Sequence, residues 1–217
     1  MFRSYRPSFF PWFLEAGEAR FLTVALEQLA DVAPRFKEEP SFPEPSDGGG
    51  YLLRAPRRED ESLIWEDAAV DVPPLDAPPI EVEMEASKME ALGRLPMRQA
   101  HLELDFFMIP ASIQDRGDRP YFPHMLVMVD AESGMVVGTE LLTPFPSQEA
   151  MWGSVPENLT DQLLRMELRP QEISVDSDLL FALLEPLAEG AGFGLDLAPS
   201  LPVLGAVREN LLETFGG

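Results

Sequence analysis

The chain has 217 residues with 38 acidic against 16 basic side chains, a formal net charge of −22, and no cysteine. Disulfides, thiolate metal sites and a cysteine nucleophile are thereby excluded, and two histidines are too few for a histidine-rich zinc site. The acidity argues against a nucleic-acid binder or an anionic-membrane binder, both of which need a basic face. At 45% apolar residues the chain can still bury a core.

The charge is not segregated into a basic patch. Residues 1–100 carry 11 basic and 19 acidic residues (about −8), and residues 101–217 carry 5 and 19 (about −14). The opening MFRSYRPSFFPWFLEAGEAR has an apolar run, but Pro7 and Pro11 interrupt it and Glu15 and Glu18 follow at once. It reads as a packed extended arm and not as a targeting segment. No apolar run reaches the length of a membrane span, so a soluble, cytoplasmic protein is expected.

Residues 15–33 place Phe21, Leu22, Ala25, Leu26 and Leu29 along one stripe, which predicts a helix ended by Pro34. KEEPSFPEPSDGGG (37–50) is rich in Pro, Gly and acid and predicts a loop. YLLRAPRR (51–58) and SLIWEDAAV (62–70) predict a short hairpin, and the four prolines of 71–80 an extended connector. IEVEMEA (80–86) alternates like an edge strand, and 87–96 is a short helix. A boundary is expected near residue 96, with a small α+β unit over 1–96 and a second domain over 97–217.

The second half is more regular. HLELDFFMIP (101–110), YFPHMLVMVD (121–130) and MVVGTELLTP (135–144) predict three strands, the last two joined by the tight turn AESG. Residues 147–168 predict a helix in two pieces broken between Gly153 and Pro156, with Glu157 or Asn158 opening the second. A short strand (169–178), a helix bent at Pro186 (178–193), a short strand or loop (194–200) and an amphipathic helix (201–215) follow. The order β-β-β-α-β-α-β-α predicts a mixed α/β sheet with helices on its faces.

That order, with LELDFF, LVMVDAESGMVVG and EISVDSD at its strands, resembles the ribonuclease H-like fold of integrase and transposase cores over residues 98–217. The whole chain is also similar to an uncharacterised family of bacterial proteins of unknown function, whose opening resembles FRSYRPSFFPW. The first resemblance implies a cluster of carboxylates holding magnesium or manganese. It would place Asp105 mid-way along the first strand, Asp176 or Asp178 at the end of the fourth, and Glu209 or Glu213 on the last helix. Asp105 and Asp176 would be the metal ligands, and a nuclease or other phosphodiester-processing activity would follow.

The same residues have plainer readings. Asp178 suits a helix N-cap, Asp130 a turn, and Glu209 and Glu213 a solvated helix face. Asp-Ser-Asp stands where many integrases have Asp-Asn-Gly, and no basic channel accompanies the acids. The favoured expectation is therefore a degenerate, non-catalytic core acting in protein interaction or regulation, with no cofactor. A metal-dependent enzyme and an acidic mimic that occupies a basic nucleic-acid-binding protein are the alternatives. His124 is expected to be a packed or surface imidazole. Asp105 poses the sharpest question, because a carboxylate inside an apolar strand is costly to bury without a partner.

Overall fold

The computed structural model describes residues 1–39, 50–60, 62–75, 79–114 and 117–215. Residues 40–49 of the expected acidic loop, Glu61 of the hairpin turn and residues 76–78 of the connector lie outside them. The chain divides into two compact units, Met1–Ser4 with Phe13–Ala77, and Tyr5–Trp12 with Pro78–Gly217. The boundary expected near residue 96 falls inside the second unit.

Among its described residues the first unit holds one helix and one hairpin. Helix α1 (Ala16–Glu38) opens where the Glu18 carboxylate accepts the Glu15 backbone N–H at 2.8 Å. It does not stop at Pro34 as expected but runs one turn further. Proline removes one N–H donor there, and so close to the helix end few bonds remain to be lost. Strands β1 (Tyr51–Glu59) and β2 (Ser62–Val70) pair antiparallel along their whole length. Asp67 of β2 takes both Arg35 of α1 and Arg54 of β1, and Arg54 also reaches Asp31 at 2.8 Å. Arg35 foremost, with Arg54 after it, lowers the Asp67 carboxyl below its usual range.

The second unit is a five-stranded mixed sheet flanked by helices. Its elements are α2 (Ala86–Arg94), β3 (His101–Met108), β4 (His124–Asp130), β5 (Val136–Leu142), α3 (Gln148–Gly153), α4 (Val155–Arg165), β6 (Glu172–Val175), α5 (Asp178–Ala191), β7 (Gly194–Leu197) and α6 (Pro202–Phe215). The strand order is β5-β4-β3-β6-β7. β4 runs antiparallel to both β3 and β5, while β6 is parallel to β3 and β7 to β6. The AESG turn closes at Gly134, which takes a left-handed φ of 72° and donates its N–H to the Asp130 carbonyl.

Alternation along the central strands sorts side chains onto two faces. Leu102 and Leu104 of β3, Leu126 and Met128 of β4, and Ile173 and Val175 of β6 form one apolar layer. Leu92 of α2, Leu159 and Leu163 of α4, and Leu184 and Leu187 of α5 cover it. Removing each such leucine from water contributes about 1.5–3 kcal/mol, which makes this layer the main source of stability. On the other face Val127 and Val129 pack with Leu201 and Leu204, supported by Phe107, Val207 and Leu211.

Three local expectations are corrected. IEVEMEA forms no strand; its Glu83 N–H donates instead to the Gly153 carbonyl at the end of α3. The second helix of the broken pair starts at Val155, with Pro156 in its first turn, and not at Glu157 or Asn158. Proline is favoured there because its missing N–H would be unbonded anyway. Ser177, not Asp178, caps α5, accepting the Leu180 N–H.

Candidate functional site

β3 carries two acids two positions apart, Glu103 and Asp105, so both point to the face that holds α6. Both are buried, at 7% and 5% exposure. Burial of two carboxylates in an apolar strand requires partners, and α6 supplies both. Glu103 accepts the backbone N–H of Leu204 at 2.6 Å. Leu204 lies in the first turn of α6, where N–H groups have no partner within the helix and the helix dipole favours negative charge.

One turn further along, Arg208 donates to Asp105 Oδ2 at 2.8 Å, and Asp105 Oδ1 accepts the N–H of Phe106 at 2.7 Å. Each oxygen of Asp105 is thus engaged, one by a cation and one by backbone. The Arg208 side chain is 41% exposed while that of Asp105 is 8% exposed. The guanidinium therefore bridges a buried charge to solvent. The arrangement is a carboxylate clamp: two acids of the central strand hold one helix by its first turn and its middle.

Neither partner is foreseen by the sequence reading. A signal was present, since Arg208 is the one basic residue after Arg169 and sits four residues from Leu204 on an apolar helix. The alternation Leu-Glu-Leu-Asp likewise announces two acids on one strand face.

The other acids expected at the site are placed as follows. Parallel pairing of β3 with β6 extends to Glu103 opposite Ser174, and β6 ends at Val175. Asp176 follows directly and is exposed, as is Asp178 in the first turn of α5. Glu209 and Glu213 are exposed on α6. Among the described residues no group of three His, Asp or Glu side chains is arranged to hold a metal ion.

Asp130 ends β4 and accepts both the N–H and the hydroxyl of Ser133, at 2.7 and 2.6 Å, which fastens the turn. Those bonds lower its carboxyl below the usual range. His124 is 7% exposed and stacks on Phe106 with ring centroids 5.1 Å apart. Its Nδ1 has no partner among the described residues, and burial pushes the imidazole pKa down. Lys88 of α2 reaches Glu157 at 2.7 Å and Asp161 of α4 at 2.9 Å, and these carboxylates raise its ammonium. A cleft of about 240 Å³ lies between β5 and α4, lined by Gly138, Gln162 and Arg165 among others. No helix among the described residues is long and apolar enough to cross a membrane.

The fold and the clamp together define a mixed α+β protein whose central sheet is closed on one face by a helix held through buried carboxylates. The chain belongs to the family described as a Domain of unknown function (DUF6930), whose model matches residues 88–212, from α2 into α6. Residues 1–54 match a second family, again described as a Domain of unknown function (DUF7309). Comparison with curated proteins gives no match.

Proposed function

We propose that the second unit is a ribonuclease H-like core that serves as a protein-interaction or regulatory module and not as a metal-dependent enzyme. Support for the fold comes from the antiparallel β3–β4–β5 start and from β6 lying beside β3, the neighbours that this resemblance requires. The observation that carries the functional reading is the pairing of Asp105 with Arg208 at 2.8 Å. In a two-metal site this aspartate would turn its free oxygen to a cation; here an arginine of the same chain neutralises it. A formal net charge of −22 favours a partner with a basic surface.

The test is thermal unfolding with magnesium and with manganese, on the wild type and on the Asp105→Asn, Asp176→Asn double variant. Acidic chains collect cations without specificity, so equal metal-induced shifts in both are the expected outcome. A specific site would stabilise the wild type alone, by about 2.7 kcal/mol at a hundredfold excess of metal over its dissociation constant. That result would reverse the proposal in favour of a phosphodiester-processing enzyme. Asp176, following the strand beside β3, is the residue that keeps this second reading open to test.

A further inference from the structure

Strand β5 is not regular. Met128 of β4 faces Gly138 and Val129 faces Val136, so Val137 is an extra residue, a β-bulge. Bulges bend a strand locally and recur beside binding sites, where they re-aim a side chain. A glycine inside a strand likewise marks a place where another group must come close to the backbone. At Gly138 that group is an amide: a Cβ there would stand 2.2 Å from Gln162 Oε1.

The bulge forms one wall of the cleft of about 240 Å³ between β5 and α4. Val137, Gly138 and Thr139 line it from the strand, and Gln162, Arg165 and Met166 from the end of the helix. Burial orders these residues by depth. Gln162 is 5% exposed and forms the floor, whereas Thr139 and Arg165 are exposed at the rim. Met128, opposite Gly138, belongs to the apolar layer that α4 covers. The cleft therefore lies on the face of the sheet that does not carry the Asp105 clamp.

Gln162 is polar at a depth where leucine would pack without cost. Its Nε2 is buried and has no hydrogen-bond partner among the described residues, a costly state for an amide donor. The terminal torsion of glutamine is soft and roughly two-fold. Half a turn of the amide alone carries Nε2 to the side of Gly138, which lines the cleft, and an acceptor on a ligand would satisfy it there. Arg165 supplies the second recognition element. It ends α4, its side chain is 65% exposed, and it meets Glu140 at 3.7 Å, beyond hydrogen-bond length, so its donors are not spent there. A guanidinium takes a carboxylate through two parallel N–H···O bonds. One cation with Glu140 beside it, in a chain of net charge −22, suits a singly charged carboxylate and not a dianionic phosphate. Sites for drug-sized ligands enclose roughly 300–1,000 Å³. This cleft is smaller, and its other walls include the apolar Val137 and Met166.

We infer that the cleft between β5 and α4 binds a small monocarboxylate with a short aliphatic body. Arg165 and the Gln162 amide hold the carboxylate, and the body lies against Val137 and Met166. The inference is independent of the reading given for Asp105.

NMR titration of the full chain with straight-chain monocarboxylates from acetate to hexanoate tests it, with inorganic phosphate and the matching primary alcohols as controls. The Gln162 side-chain amide and the Met166 methyl should shift saturably with the acids and not with the controls. Arg165→Gln should raise the dissociation constant at least tenfold by removing the cation. Glu140→Gln should lower it, because a competing carboxylate is gone. Gln162→Leu should also weaken binding at least tenfold while the chain becomes no less stable to urea, since the orphan donor leaves with the binding group. No saturable shift with any acid, phosphate or alcohols that bind as well as the acids, or an Arg165→Gln or Gln162→Leu chain that keeps the wild-type affinity would each overturn the inference.

Discussion

Asp105 shows how much a single residue can disclose and how much it withholds. Its burial was readable from the strand around it, and so was its need for a partner. The partner was not, because Arg208 lies 103 residues away and local pattern carries no information about which distant helix covers a face. His124 supplies a sharper test at this scale. Its folded pKa is depressed by burial, below the unfolded value of about 6.5. Between those two values the unfolded chain binds a proton that the folded chain does not. The contribution is therefore fully present above about pH 6.5 and is lost as pH falls towards the folded value. Denaturant titrations at pH 7.5 and 5.5 should show the wild type losing more stability on acidification than His124→Phe, which keeps a ring against Phe106 and has nothing to titrate. Equal losses would remove His124 as a cause.

At the level of elements, existence and order were largely legible and junctions were not. The three antiparallel strands, the helix broken at Gly153 and the strand–helix alternation follow from apolar period and from Gly and Pro. The misread segments are places where tertiary contacts decide. Residues 80–86 alternate like a strand, yet among the described residues no strand pairs with them. Ile80 and Glu81 run against the end of α3, and an added Cβ at Gly153 would stand 2.0 Å from the Glu81 carbonyl oxygen. Gly190 of α5 looks equally crowded, with Met89 Sδ at 2.1 Å, but that neighbour is the flexible end of a side chain. Gly153→Ala should therefore cost about 2 kcal/mol or more, since backbone has to move. Gly190→Ala should cost less than about 1 kcal/mol, because methionine repacks and alanine favours a helix. Urea denaturation of the two variants decides it; similar losses would mean that Met89 is as fixed as the backbone.

For the molecule as a whole, charge is the dominant property. Ion pairs such as Arg35–Asp67 and Lys88–Glu157 engage some of the acids, but 38 acidic residues far outnumber the 16 basic ones. The remaining acids repel one another in the compact state. Salt should consequently stabilise the fold, by roughly 1 kcal/mol or about 2–4 °C in Tm for a chain of this size, between low ionic strength and about 0.5 M sodium chloride. A Tm that falls over this range would show that the ion pairs outweigh the repulsion.

The carboxylate clamp also sets an order in time. Glu103 and Asp105 reach across 101 and 103 residues to Leu204 and Arg208, whereas the β4–β5 hairpin closes over a turn of a few residues. Long closures forfeit chain entropy before any contact compensates, so they come late. The hairpin can form while the acids of β3 are still hydrated, and α6 then docks onto a sheet already assembled. Helix α6 is in that sense a latch. Its two polar bonds hold shut a structure whose apolar layer on the opposite face was completed without it, and loosening them should speed opening more than it slows folding.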